Sequence, residues 1–229
     1  MELVKRARGH YFEIIIIIIL LFMTGAALFI ANYAPVMRLA EVDSTDLAVE
    51  DETSGLENAD LILEKYAGLD MVEDVKIVED IEASTPLDLE AAYAVVYYSK
   101  KFEIQPSLLL AMIEAESNFD RYCVGTHEDR GYLQIIPPTE KWLAETYSEE
   151  LKIEYDPERI FEPDYNIGLG AAYISLLKNA YGNDLNRILS EYNRGPYNLK
   201  KFYEENNTYE TAYSRSILSR EKKYEKFNR

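Results

Sequence analysis

The sequence predicts a mainly α-helical domain, preceded by a single N-terminal transmembrane helix and an acidic tether. Three observations carry this expectation. Residues 14–34 run for twenty-one positions without a charge. Residues 35–85 hold fifteen Asp and Glu against three Lys and Arg. From Thr85 onward apolar residues recur at helical spacing, and few β-runs or Asn-Gly hairpin signals interrupt them.

Residues 1–13 carry Lys5, Arg6 and Arg8 and read as a cytoplasmic basic flank. At helical rise the run 14–34 spans ~32 Å, enough for the ~30 Å hydrocarbon core of a bilayer. The basic flank before it and the acidic stretch after it place the N-terminus inside and the rest outside the cell membrane. A cleaved signal peptide is the rival. The apolar block is long for one, and a cut after Ala34 would have Asn32 where a small residue is wanted and Pro35 just beyond. An uncleaved anchor is therefore expected.

The tether, 35–85, is self-repelling and poor in apolar residues. Within it, Asp60–Tyr66 and Leu69–Ile81 show short apolar spacings suited to helices that pack on the domain or on a partner. The domain itself is expected over 86–229. Thr85-Pro86 reads as N-cap and first helical position of an amphipathic helix over Leu87–Phe102. Pro106 opens the next helix, ending near Phe119. A polar loop, Asp120–Arg130, contains Gly125. Pro137-Pro138-Thr139 starts a short helix through about Tyr147, and Asp156-Pro157 and Glu162-Pro163 bracket a loop. Asp164–Ala180 is a helix whose Gly168, Gly170, Ala171 and Ala172 permit close approach, and Gly182 caps it. Helices follow over Asp184–Tyr192, Tyr197–Glu205 and Tyr209–Phe227, with a turn at Asn193–Pro196.

Composition narrows the function classes. Two histidines and one cysteine cannot supply a His/Cys zinc cage or an intrachain disulfide, and no metal or other cofactor is expected. Cys123 reads as a small buried hydrophobe rather than a nucleophile. A net charge of −17 argues against nucleic acid as a partner. Nineteen tyrosines suit either a helical core or rings stacked on sugar faces.

The helix Leu108–Phe119 carries the chemistry. Leu109, Met112, Ile113 and Glu116 share one stripe, with Glu116 at its far end. A Glu pressed against apolar neighbours keeps its proton above the usual carboxylic range, as a general acid at neutral pH requires.

Five blocks of residues, in order, resemble the soluble-lytic-transglycosylase catalytic domain, a lysozyme-like fold. They are Glu116-Ser117-x-Phe119; Gly131-Tyr132-Leu133-Gln134 with Pro137; Asn166-Ile167 with Gly170 and Tyr173; Tyr192-Asn193-x-Gly195-Pro196; and Glu210-Thr211-x-Tyr213. The resemblance covers about Leu89 to Tyr224. It implies cleavage of the β-1,4 bond between N-acetylmuramic acid and N-acetylglucosamine in peptidoglycan, leaving a 1,6-anhydromuramyl end. It implies Glu116 as the catalytic acid and then base. Ser117, Tyr132, Gln134, Tyr192, Asn193 and Glu210 would be substrate contacts, with Ser117 as readily a structural partner. Glycan strands would be the partner, with an envelope-machinery protein as a further one.

Some positions depart from the family pattern. Gly125 stands where a serine often hydrogen-bonds the catalytic carboxylate. Glu128-Asp129 replaces a Gly-Ala pair and Glu191 an Ala, bringing carboxylates near the cleft. Tyr132 replaces a Leu and is placed to stack on a sugar. Two alternatives follow: a goose-type-lysozyme-like muramidase in which Glu128 or Asp129 holds a water, and a non-catalytic wall-binding scaffold.

Overall fold

The computed structural model describes residues 73–228. The basic flank, the anchor over 14–34 and most of the tether lie outside the described residues. Among the described residues no helix is long and apolar enough to cross a membrane.

Helix α1 (Glu73–Ser84) falls in the stretch read as tether, yet it belongs to the folded body. Ile77, Val78 and Ile81 recur at helical spacing and are buried against α2 (Leu89–Lys101). Lys100 Nζ meets Asp74 Oδ2 at 2.6 Å and ties the two helices. Of the two destinations open to Leu69–Ile81, its part from Glu73 onward packs on the domain. The expected cap also moves. The Thr85 hydroxyl donates to the Ile81 carbonyl at 2.9 Å and closes α1, so it is Asp88 that accepts from the Ala91 N–H at 2.8 Å and caps α2.

Helix α3 (Pro106–Ser117) is the centre of the fold. Pro106 sits in its first turn, where its missing N–H costs nothing. Leu109 through Ile113 are all wholly buried, so α3 is apolar all round rather than along one stripe. The reason is its surroundings: α8 (Ala212–Tyr224) covers it most extensively, α2 covers another side, and the C-terminal turn Glu225–Phe227 a third. At its end Asn118 and Phe119 are both left-handed (φ 50° and 65°), which turns the chain out of the helix one turn after Ile113. Phe119 packs edge-on against Tyr224.

The loop after α3 leads to α4 (Pro137–Thr146) and the single turn α5 (Ser148–Leu151). A short 3-10 turn over Pro157–Phe161 precedes α6 (Pro163–Tyr181), which packs on α2 and α4. The small residues of α6 are used as close-approach points. A Cβ on Gly168 would lie 2.8 Å from the Tyr98 ring of α2, and one on Gly170 would lie 2.2 Å from Leu133 of the loop. Helix α7 (Leu185–Asn206) is bent at Gly195 (φ 73°, ψ 162°) with Pro196 next to it, so the expected turn is a kink that re-aims the second half. Thr211 and Ser214 form a reciprocal capping box that starts α8 at Ala212, three residues later than its apolar spacing suggests.

Because α1 buries three aliphatic side chains on α2, Ile81→Ala should destabilise the domain by about 2–4 kcal/mol. Urea unfolding of residues 73–229 with and without the substitution measures it. A change under about half a kcal/mol would mean that α1 is not part of the cooperative unit.

Candidate functional site

The loop Asp120–Ile136 is built on backbone pairing and on one asparagine. Arg130 and Ile135 exchange N–H and carbonyl bonds at 3.2 and 3.1 Å, and Val124 pairs with Arg130 from the other side. Asn166, wholly buried on α6, accepts from the Leu133 N–H at 2.9 Å. Its amide nitrogen donates to the carbonyls of Arg130 and Ile160, both at 3.0 Å. A Cβ at residue 131 would stand 2.3 Å from that nitrogen, and φ there is +74°, so only glycine fits. Under the loop the Arg130 guanidinium pairs with the carboxylate of Glu140, a fully buried side chain of α4 that also accepts from Tyr165 at 3.4 Å.

With the loop fixed, a cleft of about 810 Å³ opens between it, α4, α6 and α7. Glu116 lines it at the end of α3, with Gln134 and Asp129 from the loop and Tyr173, Tyr192 and Asn193 from α6 and α7. Arg194 just before the kink of α7, and Lys201 and Glu205 from its second half, complete the lining.

Glu116 is the perturbed carboxyl of this cleft. Burial pushes its pKa from the ordinary 4.5 up to about 7. A hydrogen bond from Tyr213 opposes that rise, and the nearby Asp129 charge adds to it. The Tyr213 hydroxyl, delivered by α8, donates to Glu116 Oε1. Burial next to this acid also holds the Tyr213 and Tyr192 phenols well above their usual range, so both stay neutral donors. The Tyr192 hydroxyl donates to the Leu133 carbonyl at 2.8 Å, and its ring rests on Tyr173 at 5.4 Å. Gln134 adopts φ 47°, and its amide nitrogen donates to the carbonyls of Gly131 (2.8 Å) and Cys123 (3.1 Å). It therefore braces the loop while facing the cleft.

The structure brings together four of the seven residues expected at the site: Glu116, Gln134, Tyr192 and Asn193. It does not bring the other three to the cleft. Tyr132 is 3% exposed and packed in the core among charges at the start of α2, so it cannot stack on a sugar. The Ser117 hydroxyl is buried and donates to the Ile113 carbonyl at 3.0 Å, which makes it part of the helix end. Glu210 is exposed at the foot of α8 and pairs with Arg215 at 3.1 Å. Of the added carboxylates, Asp129 lines the cleft, whereas Glu191 is buried and accepts from Tyr181 at 2.7 Å.

Sequence reasoning missed Tyr213, although the residue stands in the last matched block; its partner 97 residues away is set only by the packing of α8 on α3. It also missed Tyr173, whose signal is its place one turn after Gly170 on the face that meets the cleft. Among the described residues no group of three or more His, Cys, Asp or Glu could hold a metal ion.

Comparison with known proteins follows the same elements. Over 86 residues the chain is 34% identical to the membrane-bound lytic murein transglycosylase C of Pectobacterium atrosepticum, covering 36% of this chain and 23% of that protein. Its counterpart in Haemophilus ducreyi is 28% identical over 126 residues, 51% of this chain and 33% of that one. The chain thus spans about a quarter to a third of the length of these relatives. Among solved structures, the 70 kDa soluble lytic transglycosylase of Escherichia coli superposes with TM-score 0.50 at 16% identity, over 86% of this chain and 40% of that one. The lytic transglycosylase Slt of Pseudomonas aeruginosa gives 0.51 at 21% identity, over 58% and 23%. These two likenesses establish the lysozyme-like helical fold. The profile described as "Transglycosylase SLT domain" matches residues 94–214, more than half the chain, including the residues that line the cleft and Tyr213, which bonds Glu116; on that match the chain belongs to the transglycosylase SLT domain family.

Proposed function

We propose that this protein is a membrane-anchored peptidoglycan lytic transglycosylase in which Glu116 acts first as acid and then as base. The observation that carries the reading is a cleft-lining carboxyl with a pKa of about 7, half protonated at neutral pH where an ordinary Glu is ionised. Membership of the family and the names of the relatives supply the substrate class.

The chemistry follows from the surroundings of the acid. Tyr213 occupies Oε1 of Glu116, which leaves the other oxygen to carry the proton toward the cleft. Protonated Glu116 gives this proton to the glycosidic oxygen as the bond to the muramyl C1 breaks. The resulting carboxylate takes the proton of the muramyl C6 hydroxyl as that oxygen closes on C1, and the acid is regenerated. No water is consumed. Glycosidases that do use water need a second carboxylate at a set separation; here the substrate's own hydroxyl takes that part. Tyr213 stabilises the ionised form and burial the protonated one, so neither state is held so firmly that the return step fails. Gln134, Tyr192 and Asn193 line the sugar path.

Asp129 in the same cleft favours a second reading, hydrolysis with a water held by that carboxylate. One experiment separates the two. Digested sacculi should yield anhydro-ended muropeptides by mass spectrometry, and Glu116→Gln should reduce them by about a thousandfold, within the range for losing a general acid and base. Reducing-end products heavier by one water would decide for hydrolysis. Sacculi bound without release of any fragment would leave only a scaffold.

The uncharged run over 14–34 supports an anchor that would hold the domain outside, facing the wall, and the membrane-bound naming of the relatives supports membrane association. The full chain should stay with membranes through alkaline carbonate washing, and removal of residues 1–34 should release it. Release of the intact chain would sink the anchor.

The shift at Glu116 has a cost in stability whose sign is fixed. The folded carboxyl titrates above the unfolded one, so the folded state holds more protons between pH ~4.5 and ~7 and stability falls as pH rises through that window. The full loss is up to about 3 kcal/mol. Glu116→Gln cannot ionise. Its stability advantage over wild type in urea unfolding should therefore grow from pH ~4 to pH ~8. An advantage that does not change with pH would show that Glu116 is solvated.

A further inference from the structure

Gly125 and Asp129 are interlocked. A Cβ on residue 125 would lie 1.9 Å from Oδ2 of Asp129 and 2.4 Å from its Cγ. The backbone does not demand glycine there, because φ at 125 is outside the left-handed region. The space beside residue 125 is filled by a carboxylate. That carboxylate is fixed. Its Oδ1 accepts from the His127 N–H at 3.0 Å, and the Asp129 carbonyl accepts from the Gly125 N–H at 2.8 Å, closing the loop on itself. The same side chain lines the cleft with Glu116.

We propose that Asp129 is a positioning residue for Glu116: the 125–129 loop folds a fixed negative charge into the slot of the missing side chain, and that charge governs the proton on the acid. The inference rests on the reading of Glu116 as the acid. Glu116 is faced by Tyr213 from α8, by Tyr192 from α7, and by Asp129 and Cys123 from the loop, with His127 further along the cleft. Tyr213 and Tyr192 are neutral donors. Arg194, Lys201 and Glu205 line the same cleft from α7, but the charge that acts on Glu116 is that of Asp129, and it disfavours the ionised form of the acid. Removing it lets Glu116 ionise at lower pH, so the alkaline limb of the rate profile moves toward acid.

The test uses the full chain with Asp129→Asn, Gly125→Ala and the double variant. Turnover of solubilised glycan strands is followed from pH ~5 to ~9, on both sides of the expected midpoint. The Glu116 carboxyl is titrated by carbon-13 NMR, with Glu116→Gln to assign its signal. Asp129→Asn keeps the acceptor for His127 and loses only the charge. It should lower the Glu116 midpoint and reduce turnover severalfold above the limb while leaving turnover below it unchanged. In Gly125→Ala the added methyl evicts the carboxylate from its slot, so the midpoint should move the same way. The double variant should move it no further than either single one. An unchanged midpoint in Asp129→Asn, a loss of rate equal at every pH, or additive shifts in the double variant would each overturn the proposal. If Glu116→Gln keeps its turnover, the functional reading fails instead, while the titration still decides whether Asp129 controls the carboxyl.

Discussion

A carboxyl group held out of water is the constraint on which the rest of this structure turns. Glu116 stands in the last turn of a helix whose middle is wholly buried, and burial is the main cause that raises its affinity for a proton. Such a group is expensive unless something satisfies it. Here the compensation is a phenol from α8, and that phenol reaches Glu116 because α8 lies along α3 for most of its length. The helix that covers the core and the helix that satisfies the acid are the same. A shift of α8 along α3 would therefore disturb packing and proton affinity together.

The opposite wall of the cleft depends on a second fixed group, Asn166. Its amide uses one acceptor and two donors on three backbone atoms of the loop and the 3-10 turn. Gly131 is the residue that lets the loop come close enough for this. Tyr192 then bonds the carbonyl of Leu133, whose N–H Asn166 already holds, so α6 and α7 grip one peptide segment from two sides. The buried Arg130–Glu140 pair closes the loop from below. A cleft wall made of irregular backbone can keep its shape only if its polar groups are committed in this way.

Much of this was legible in the sequence. The helical spacing from Leu87 onward, the prolines at 106, 137 and 163 and the glycine at 182 mark elements that the structure contains, because each acts through local backbone chemistry. Glu116, Gln134, Tyr192 and Asn193 do meet at one cleft. What was not legible depends on contacts between distant residues. Nothing near Tyr132 in sequence tells that its ring turns into the core, and nothing near Tyr213 tells that its hydroxyl meets Glu116. The acidic content of 35–85 hid the three aliphatic residues of α1, whose burial is decided by α2 rather than by their own neighbours. Thr85 and Asp88 are both good caps, and only the packing of α1 on α2 decides which hydroxyl or carboxylate is free to act as one.

The matched blocks divide into two kinds once their contacts are known. Gly131, Asn166, Gly170 and Ser117 hold backbone and helices at close range and touch no reacting group. Glu116, Tyr213 and Tyr192 set the state of one proton. A match in the first kind establishes the shape of the cleft, and shape is compatible with binding alone. Only the second kind bears on the turnover proposed above, in which one carboxyl would both give and recover a proton near neutral pH. Burial favours the protonated state and the Tyr213 bond favours the ionised state, and neither acts without the other in this arrangement. An acid balanced between opposing pulls in a sugar-sized cleft is costly for a fold to maintain. The proposed acid–base role would account for that cost, whereas a binding scaffold would have no use for it.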